Sequence, residues 1–263
     1  MLQLNQIYKV FNEGTPDEKI ALNHLSLSMN QGDFITIIGS NGAGKSTLLN
    51  LIAGKLVPDI GQVIVDQKNL TFVKEHKRSK LIGRVFQDPM SGTAPSLTIE
   101  ENLAIAFART KNRGFSLGVT KNRRTFFKEK LETLHLNLEN RLTAKVGLLS
   151  GGERQALSLL MATFTKPKIL LLDEHTAALD PSRAELITSL TKKIVEENNL
   201  TALMVTHNMQ QAIDLGNRLI MMDCGEIIFE ADDNRKQKLT VEKLLKEFQQ
   251  IRGGTMTDRA VLV

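Results

Sequence analysis

The chain has 263 residues, of which 41% are hydrophobic and 24% charged, so it is long enough for a continuous core and is not a disordered polymer. Its net charge of +5 permits an anionic ligand or a membrane-facing partner without requiring either. A single cysteine, Cys224, excludes an internal disulfide and a multi-cysteine metal site.

The first half of the chain alternates short apolar runs with helical stretches, which is typical of an α/β domain with a largely parallel sheet. Residues 34–38 predict a buried strand, followed by a glycine-rich turn and a helix that Gly54 and Pro58 end. Residues 60–66 and 82–86 predict two further strands. The amino terminus lacks a signal-peptide pattern and no apolar run reaches the roughly 18 residues of a membrane span, so we expect a soluble cytosolic protein.

The segment at residues 88–148 has a different pattern, with helical stretches interrupted by glycine and proline. Thr98 and Glu101 form a capping box that opens a helix through Ala108. Residues 109–130 contain eight Lys or Arg and one acidic residue. This basic stretch is either a solvated helix face or a surface turned toward a membrane.

The second half contains two more buried strands and two helices. Residues 169–172 are continuously apolar, as in a central parallel strand, and residues 203–206 are similar. Asp180 and Pro181 provide an N-cap and a proline at the first helical position. Apolar residues at helical spacing over residues 241–248 predict one amphipathic helix near the end.

Residues 39–46 carry the pattern G-x-x-x-x-G-K-S between a predicted strand and a predicted helix. Glycines let backbone N–H groups approach a triphosphate, and the helix N-terminus adds partial positive charge. Lys45 provides a charge for the β- and γ-phosphates, and the Ser46 hydroxyl can bind Mg²⁺. A tight glycine turn without a ligand is the alternative, which the strand–loop–helix context disfavours. The predicted ATP-binding residues here are Gly39, Ser40, Asn41, Gly42, Ala43, Gly44, Lys45, Ser46 and Thr47.

Two carboxylates follow the apolar run at residues 169–172. Asp173 ends the predicted strand, where a carboxylate can hold Mg²⁺ beside a phosphate loop. Glu174 is then placed to accept a proton from an attacking water. The pair alone is moderately specific, because strands often end in acidic residues.

Residues 149–155 read Leu-Ser-Gly-Gly-Glu-Arg-Gln. Ser150 and Glu153 form a capping box, which is a purely structural interpretation. A capping box does not need two consecutive glycines, each of which costs about 1 kcal/mol in a helix. Bare amides at a helix N-terminus suit a second phosphate contact.

The sequence resembles the ATP-binding cassette family, the ATPase subunits of ABC transporters. Residues 149–155 match the signature motif that defines this family among phosphate-loop proteins, and the resemblance covers about residues 2–229. It implies an α/β phosphate-loop NTPase with a mostly parallel central sheet, an antiparallel β subdomain and an inserted α-helical subdomain. We expect a single ATPase domain over residues 1–252 and a flexible tail at 253–263. Its expected parts are a catalytic core at residues 1–87 and 149–230, a helical subdomain at 88–148 and a C-terminal helical extension at 231–252.

The resemblance also implies roles for single residues. Glu174 would be the general base, and His207 matches the switch histidine that touches the γ-phosphate. Gln87 matches the glutamine loop that couples the γ-phosphate and Mg²⁺ to a transmembrane partner. These three are the expected catalytic residues, although a lone histidine is more often structural. The expected Mg²⁺ ligands are Ser46, Gln87 and Asp173.

Further matches concern the adenine ring, a second copy and one departure from the family pattern. Phe11 is expected to stack on adenine, with Tyr8 as the alternative and a core phenylalanine as the structural interpretation. Asp180 matches the D-loop. His175 stands where such families usually have proline, and we expect it to affect loop rigidity and not chemistry. The residues expected to contact ATP from a second copy are Ser150, Gly151, Gly152 and Gln155.

In this family two cassettes dimerise head to tail, so that the phosphate loop of one copy faces the signature of the other. The expected cofactors are ATP and Mg²⁺. The expected partners are a second copy of the chain, transmembrane permease subunits and an extracytoplasmic substrate-binding protein, with no nucleic acid. The cassette would then be peripheral on the cytoplasmic face of the cell membrane.

Residues 92–102 and 173–181 look like a bacterial importer group suspected of carrying amino acids, including aromatic ones. An exporter of lipoprotein or peptide type is the main alternative. A non-transport cassette ATPase, of ribosome release, DNA repair or cluster assembly, is a third hypothesis. Ribosome-associated members resemble two cassettes in one chain and repair members insert long coiled coils, whereas this chain has one cassette and no long coiled-coil insertion. A regulatory module without turnover would require a degenerate carboxylate or signature, and both motifs are intact.

Overall fold

The computed structural model describes residues 1–110 and 118–252. They group into two compact units, the first formed by residues 1–78 with 201–252 and the second by residues 79–110 with 118–200. The predicted flexible tail at 253–263 lies outside the described residues, as does part of the basic stretch. The predicted boundaries of the helical subdomain stay a prediction.

The elements of the first unit begin with strands and the phosphate-loop helix. In chain order they are β1 (Leu2–Phe11), β2 (Lys19–Met29), β3 (Phe34–Gly39), α1 (Lys45–Ala53), β4 (Ile60–Val65), β5 (Lys68–Asn69) and α2 (Glu75–Arg78). The second unit contains β6 (Ile82–Val85), α3 (Ile99–Ala108), α4 (Lys121–Glu132), α5 (Gly151–Thr163), β7 (Ile169–Asp173) and α6 (Pro181–Glu197). The first unit then resumes with β8 (Thr201–Val205), α7 (Met209–Asp214), β9 (Arg218–Asp223), β10 (Glu226–Ala231), α8 (Asp233–Lys236) and α9 (Val241–Arg252).

Two sets of strands build the first unit. An antiparallel sheet has the order β2-β1-β4-β5, and a second set has the order β10-β9-β3-β8. In the second set β3 is parallel to both β8 and β9, and β10 pairs antiparallel with β9. All residues of β8 and all but the last of β3 are buried, which confirms the two apolar runs predicted to be buried strands.

Both ends of α1 are shaped by glycine. Gly44 precedes the helix with a φ of 97°, and Gly54 follows it with a φ of 83°, as the sequence predicted for its end. The buried guanidinium of Arg78 donates to the carbonyls of Leu51 and Ile52 in the last turn, at 2.8 Å each. This arginine therefore caps the C-terminal end of the phosphate-loop helix.

The second unit combines two parallel strands with helices. Ile82 in β6 pairs with Ile169 in β7, and four residues of β7 are fully buried. The predicted capping box opens α3, with the Glu101 carboxylate 2.7 Å from the Thr98 amide. Helices α3, α4 and α5 share a cluster of aromatic rings with centroids 5.5–6.3 Å apart. The members of this cluster are Phe107, Phe126, Phe127 and Phe164.

The C-terminal extension is part of the first unit's core. Leu244 and Phe248 of α9 are buried and pack in a cluster with Ile38 of β3 and Met221 of β9. This confirms the amphipathic helix predicted near the end of the chain. No helix in the described ranges has the length and apolarity needed to cross a membrane.

Candidate active site

The phosphate loop connects β3 to α1 within the first unit. At Gly44 a side chain is excluded, since a Cβ there would overlap the carbonyl oxygen of Ala21 and lie 2.9 Å from Leu22 Cδ2. The positive φ of Gly44 also favours glycine at this position. The loop thus packs against β2. Because its glycines have no side chains, they leave the backbone amides of the loop uncovered.

Lys45 is 5% exposed and lies folded over the loop. Its Nζ donates to the carbonyl oxygens of Gly39 and Ser40 at 2.7 and 2.9 Å. The ammonium therefore lies among the carbonyl groups at the start of the loop, and its contact with phosphates stays a prediction. Ser46 is exposed in the first turn of α1, so its hydroxyl is accessible to a ligand.

A turn far along the chain supports the phosphate loop. Ser40 Oγ donates to Asp223 Oδ1 at 2.8 Å, at the end of β9. The amide of Gly225 donates to the Ala43 carbonyl at 3.1 Å. Asp223 and Gly225 were not predicted as part of the site, because nothing in the local pattern of the β9–β10 turn links it to residues 39–46.

His207 follows β8, as predicted, and lies beside the loop. It lines one cavity together with Gly39, Ser40 and Thr206. The residue is half-buried, and Asn208 caps α7 directly after it by accepting from the Gln211 amide at 2.9 Å. The structure thus brings His207 and the phosphate loop together.

The two adenine candidates lie on β1. Tyr8 has its ring 5.2 Å from the ring of His24. Phe11 is half-buried, with the ammonium of Lys9 5.6 Å from its ring centroid. The Tyr8–His24 contact favours Phe11 as the stacking residue, which stays a prediction.

In the second unit, Asp173 ends β7 and meets a cation. Arg84 Nη2 is 2.8 Å from Asp173 Oδ2, and the two side chains are only 10% and 14% exposed. The guanidinium also lies over the ring of Phe86, 4.7 Å from its centroid. This arginine on β6 was not singled out from the sequence, because strand register alone places it beside β7.

Glu174 follows Asp173 with a φ of 44°, an uncommon conformation for a residue with a side chain. Its carbonyl accepts from the Ala177 amide at 2.9 Å, which forms the turn that leads away from β7. The side chain is half-buried. The backbone is thus held in a strained shape at the predicted general base.

His175 is 2% exposed and bonded to α6. Its Nε2 is 2.9 Å from Thr191 Oγ1, and that hydroxyl donates to the Ile187 carbonyl at 2.7 Å. Nε2 must therefore carry the proton that the hydroxyl accepts. Burial lowers the pKa of His175 to about 4, so the ring is neutral at pH 7. This side chain ties the loop to α6 and supports the expectation that it has no catalytic role.

The signature residues begin α5 with the capping box predicted from the sequence. Ser150 Oγ accepts from the Glu153 amide at 3.3 Å, and Glu153 Oε2 accepts from the Ser150 amide at 2.7 Å. Arg141 Nη1 contacts Glu153 Oε1 at 2.7 Å. Burial would raise the pKa of Glu153, but the bonds from Ser150 and the charge of Arg141 lower it. Gly152 has its own packing reason, since a Cβ there would lie 3.0 Å from Arg183 Cδ.

The contact of Gln155 with ATP from a second copy stays a prediction, and the structure places this residue in the core of the second unit. Its side chain is fully buried, and Nε2 donates to the Phe86 carbonyl at 3.2 Å. Position 155 lies one helical turn before the fully buried Leu159, so both side chains face the core. Within this unit Gln155 links the signature helix to the segment that leads into Gln87, which is exposed.

The remaining predicted residue of this unit, Asp180, is exposed and caps α6. Its Oδ1 accepts from the Arg183 amide at 3.1 Å. The first unit therefore holds the phosphate loop, Phe11 and His207, each described above. The second unit holds the other predicted residues, which are Gln87, Asp173, Glu174, Ser150, Gly151, Gly152, Gln155 and Asp180.

The chain is similar to known ATP-binding cassettes over most of its length. The model of the ABC transporter family matches residues 22–177. A tyrosine transport ATP-binding protein of Clostridioides difficile is 44% identical over 252 residues, which are 95% of this chain and 99% of that protein. The energy-coupling factor transporter ATP-binding protein EcfA2 of Clostridium perfringens is 31% identical over 92% of this chain and 84% of its own length.

Solved structures of ATP-binding cassettes are also similar to this chain. A dimeric post-hydrolysis state of the ATP-binding cassette MJ0796, bound to ADP and phosphate, has a TM-score of 0.76 at 32% identity. It covers 89% of this chain, and 99% of that chain is matched. The predicted phosphate-loop NTPase fold is thereby confirmed. The chain belongs to the ABC transporter family and is one of its ATP-hydrolysing subunits.

Proposed function

We propose that this subunit powers the import of a small solute, an amino acid of aromatic type, by ATP-driven closure of a head-to-tail dimer. The observation that carries the dimer is the presence of two glycine-led helix N-termini in one chain. One precedes α1 with Lys45, and the other, capped by Ser150, begins α5. Both suit phosphate oxygens, because free amides and the helix dipole favour an anion.

In this proposal each ATP is held by the phosphate loop of one copy and by Ser150, Gly151 and Gly152 of the other. Phe11 stacks on the adenine. Glu174 accepts the proton of the attacking water, and His207 contacts the γ-phosphate. The positive φ of Glu174 is compatible with this role, because functional residues can adopt such uncommon backbone conformations.

Mg²⁺ fits the oxygen donors that the chain offers. Ser46 offers a hydroxyl, Asp173 a carboxylate and Gln87 an amide oxygen, and Mg²⁺ prefers oxygen ligands. No cluster of three or more His, Cys, Asp or Glu side chains in the described residues could hold a metal ion. That agrees with a Mg²⁺ bound through one carboxylate and substrate phosphates. When bound, it neutralises charge on the transferred phosphoryl group.

The solute is proposed from similarity. The tyrosine transport ATP-binding protein of Clostridioides difficile matches 95% of this chain, which makes tyrosine the first solute to test. The permease subunits and an extracytoplasmic binding protein would complete the importer, with the cassette on the cytoplasmic face of the membrane.

Glu174→Gln tests the dimer. We expect this variant to bind ATP, to lose hydrolysis and to accumulate as a dimer in size-exclusion chromatography with light scattering. Glu196→Gln, an exposed position on α6, is the matched control and should hydrolyse ATP at the wild-type rate. A variant that stays monomeric at saturating ATP would contradict the head-to-tail site. Retained hydrolysis would remove Glu174 as the base.

A transport assay tests the solute. The neighbouring reading frames would first be searched for a multi-span permease and a secreted binding protein. The chain would be co-expressed with them, and uptake of labelled tyrosine into vesicles would be measured. We expect uptake that depends on ATP and that Glu174→Gln abolishes. Outward movement of a lipoprotein or peptide would establish an exporter instead. Absence of any transport, with no change in ATPase activity when the permease is added, would favour a non-transport cassette.

A further inference from the structure

The start of β2 lies against the phosphate loop, although no residue of β2 belongs to the motif. The carbonyl of Ala21 and the side chain of Leu22 block any side chain at Gly44. This contact brings the first residues of β2 within reach of any group that binds in the loop.

Lys19, the first residue of β2, points its ammonium at this loop. A Cβ built on Gly42 would lie 3.3 Å from Lys19 Nζ. Gly42 is exposed, with a φ of 81°, so the ammonium meets an open side of the loop. Lys45 approaches from inside, where it bonds the carbonyls of Gly39 and Ser40. Two lysines therefore flank the same short stretch of backbone.

Lys19 is also the cross-strand partner of Phe11 in the pairing of β1 with β2. Phe11, the residue proposed to stack on adenine, and Lys19, the lysine beside Gly42, are thus paired across two strands at the edge of the site. Among the residues that the structure describes, Lys19 makes no ion pair. Its ammonium keeps its charge available for an anionic ligand, and lysine binds phosphate as a point charge.

We propose that Lys19 is a second phosphate-binding lysine, which contacts the β- or γ-phosphate of a nucleoside di- or triphosphate from the outer side of the loop. The proposal rests on the nucleotide site proposed above. Lys19 is largely exposed, so solvent screens its charge and its contribution is smaller than that of Lys45.

The test is a titration of the full chain with ATP, ADP and AMP by isothermal calorimetry, using Lys19→Met, Lys19→Arg and Lys45→Ala. We expect Lys19→Met to weaken ATP and ADP binding roughly threefold to tenfold, with less effect at high salt. Lys19→Arg should restore binding, because it keeps the charge. Lys68→Met, at an exposed position on β5 of the same sheet, is the matched control and should leave binding unchanged.

AMP separates a phosphate contact from a change in the strand pair. If Lys19 contacts the β- or γ-phosphate, AMP binds wild type and Lys19→Met equally. An equal loss for all three nucleotides would overturn the proposal, because it would mean that Phe11 had moved. Unchanged ATP binding in Lys19→Met would also overturn it. Should Lys45→Ala bind ATP normally, the nucleotide site itself would be wrong, and not only the role of Lys19.

Discussion

Replacement of Arg78 by methionine tests what holds the phosphate-loop helix in place. Arg78 is 1% exposed, and its guanidinium donates five hydrogen bonds to backbone carbonyls. Two of these acceptors, Leu51 and Ile52, lie in the last turn of α1. Methionine fills a similar volume but donates none of these bonds, so the carbonyls would lose their partner inside the first unit.

The magnitude follows from the bonds and the buried charge. Burial lowers the pKa of Arg78 to about 10, which corresponds to a cost of about 3 kcal/mol for keeping the charge inside. Five bonds at about 1.5 kcal/mol each, the low end for a charged donor, exceed that cost by about 4 kcal/mol. We therefore expect Arg78→Met to lower the free energy of unfolding by about 3–5 kcal/mol, the range seen when one partner of a buried charged network is removed. Because the side chain stays protonated in both states well below pH 10, the loss should not vary through neutral pH.

Urea unfolding followed by circular dichroism measures this loss, since the chain has no tryptophan. Arg78→Lys keeps the charge with three donors in place of five and should lose less. Lys77→Met, at the exposed neighbouring position, is the control and should change stability by about 0.5 kcal/mol or less. A loss below about 1 kcal/mol for Arg78→Met would refute the reasoning.

Three more predictions concern other side chains. Ser150→Ala should lose about 1 kcal/mol of stability, because it removes the N-cap of α5. Ser150→Asp keeps a capping oxygen, but its negative charge should repel phosphate and block ATP-driven dimerisation. A dimer formed normally by the aspartate variant would refute the proposed contact between Ser150 and the ATP of the second copy. Arg84→Met should tighten Mn²⁺ binding at saturating nucleotide roughly threefold to tenfold, measured by electron paramagnetic resonance. The reason is that it removes the cation 2.8 Å from Asp173, the proposed metal ligand. Arg124→Met, which removes the ion pair of Arg124 with Glu100, is the control and should leave Mn²⁺ binding unchanged. Weaker or unchanged Mn²⁺ binding in Arg84→Met would contradict this view. Burial lowers the pKa of Lys236 to about 8. As the pH rises from about 8 toward 10.5, the stability of wild type relative to Lys236→Met should therefore increase, by up to about 1.4 kcal/mol per pH unit. Parallel plots of unfolding free energy against pH for the two proteins would disprove this.

Local signals predicted most of the elements that carry the site. The unbroken apolar run of β3 and the capping box at Ser150 each depend on residues close together in sequence, so they can be recognised without tertiary information. The β9–β10 hairpin was not predicted, although Cys224 and Gly225 both adopt positive φ at its turn. The pairing of β9 with β3, which lie far apart in sequence, leaves no local pattern at all.

The contacts of buried charged and polar side chains were not predicted from the sequence. Arg78 lies in the basic run Lys-Arg-Ser-Lys, which looks like a solvated surface. Its burial depends on carbonyls of α1 that precede it by more than twenty residues. Gln155 was recoverable, because it precedes the apolar Leu159 by four positions on the helix, whereas Arg84 depended on the register of β6 and β7.

The phosphate loop is held by residues much later in the sequence, and this has a consequence for synthesis on the ribosome. Ser40 and Asp223 are 183 residues apart, and β3 pairs only with β8 and β9 in the described structure. A nascent polypeptide that has completed the loop still lacks both neighbours of the strand that carries it. We therefore expect nucleotide to give the emerging amino-terminal part little stability, and chaperones to protect β3 until translation is nearly finished.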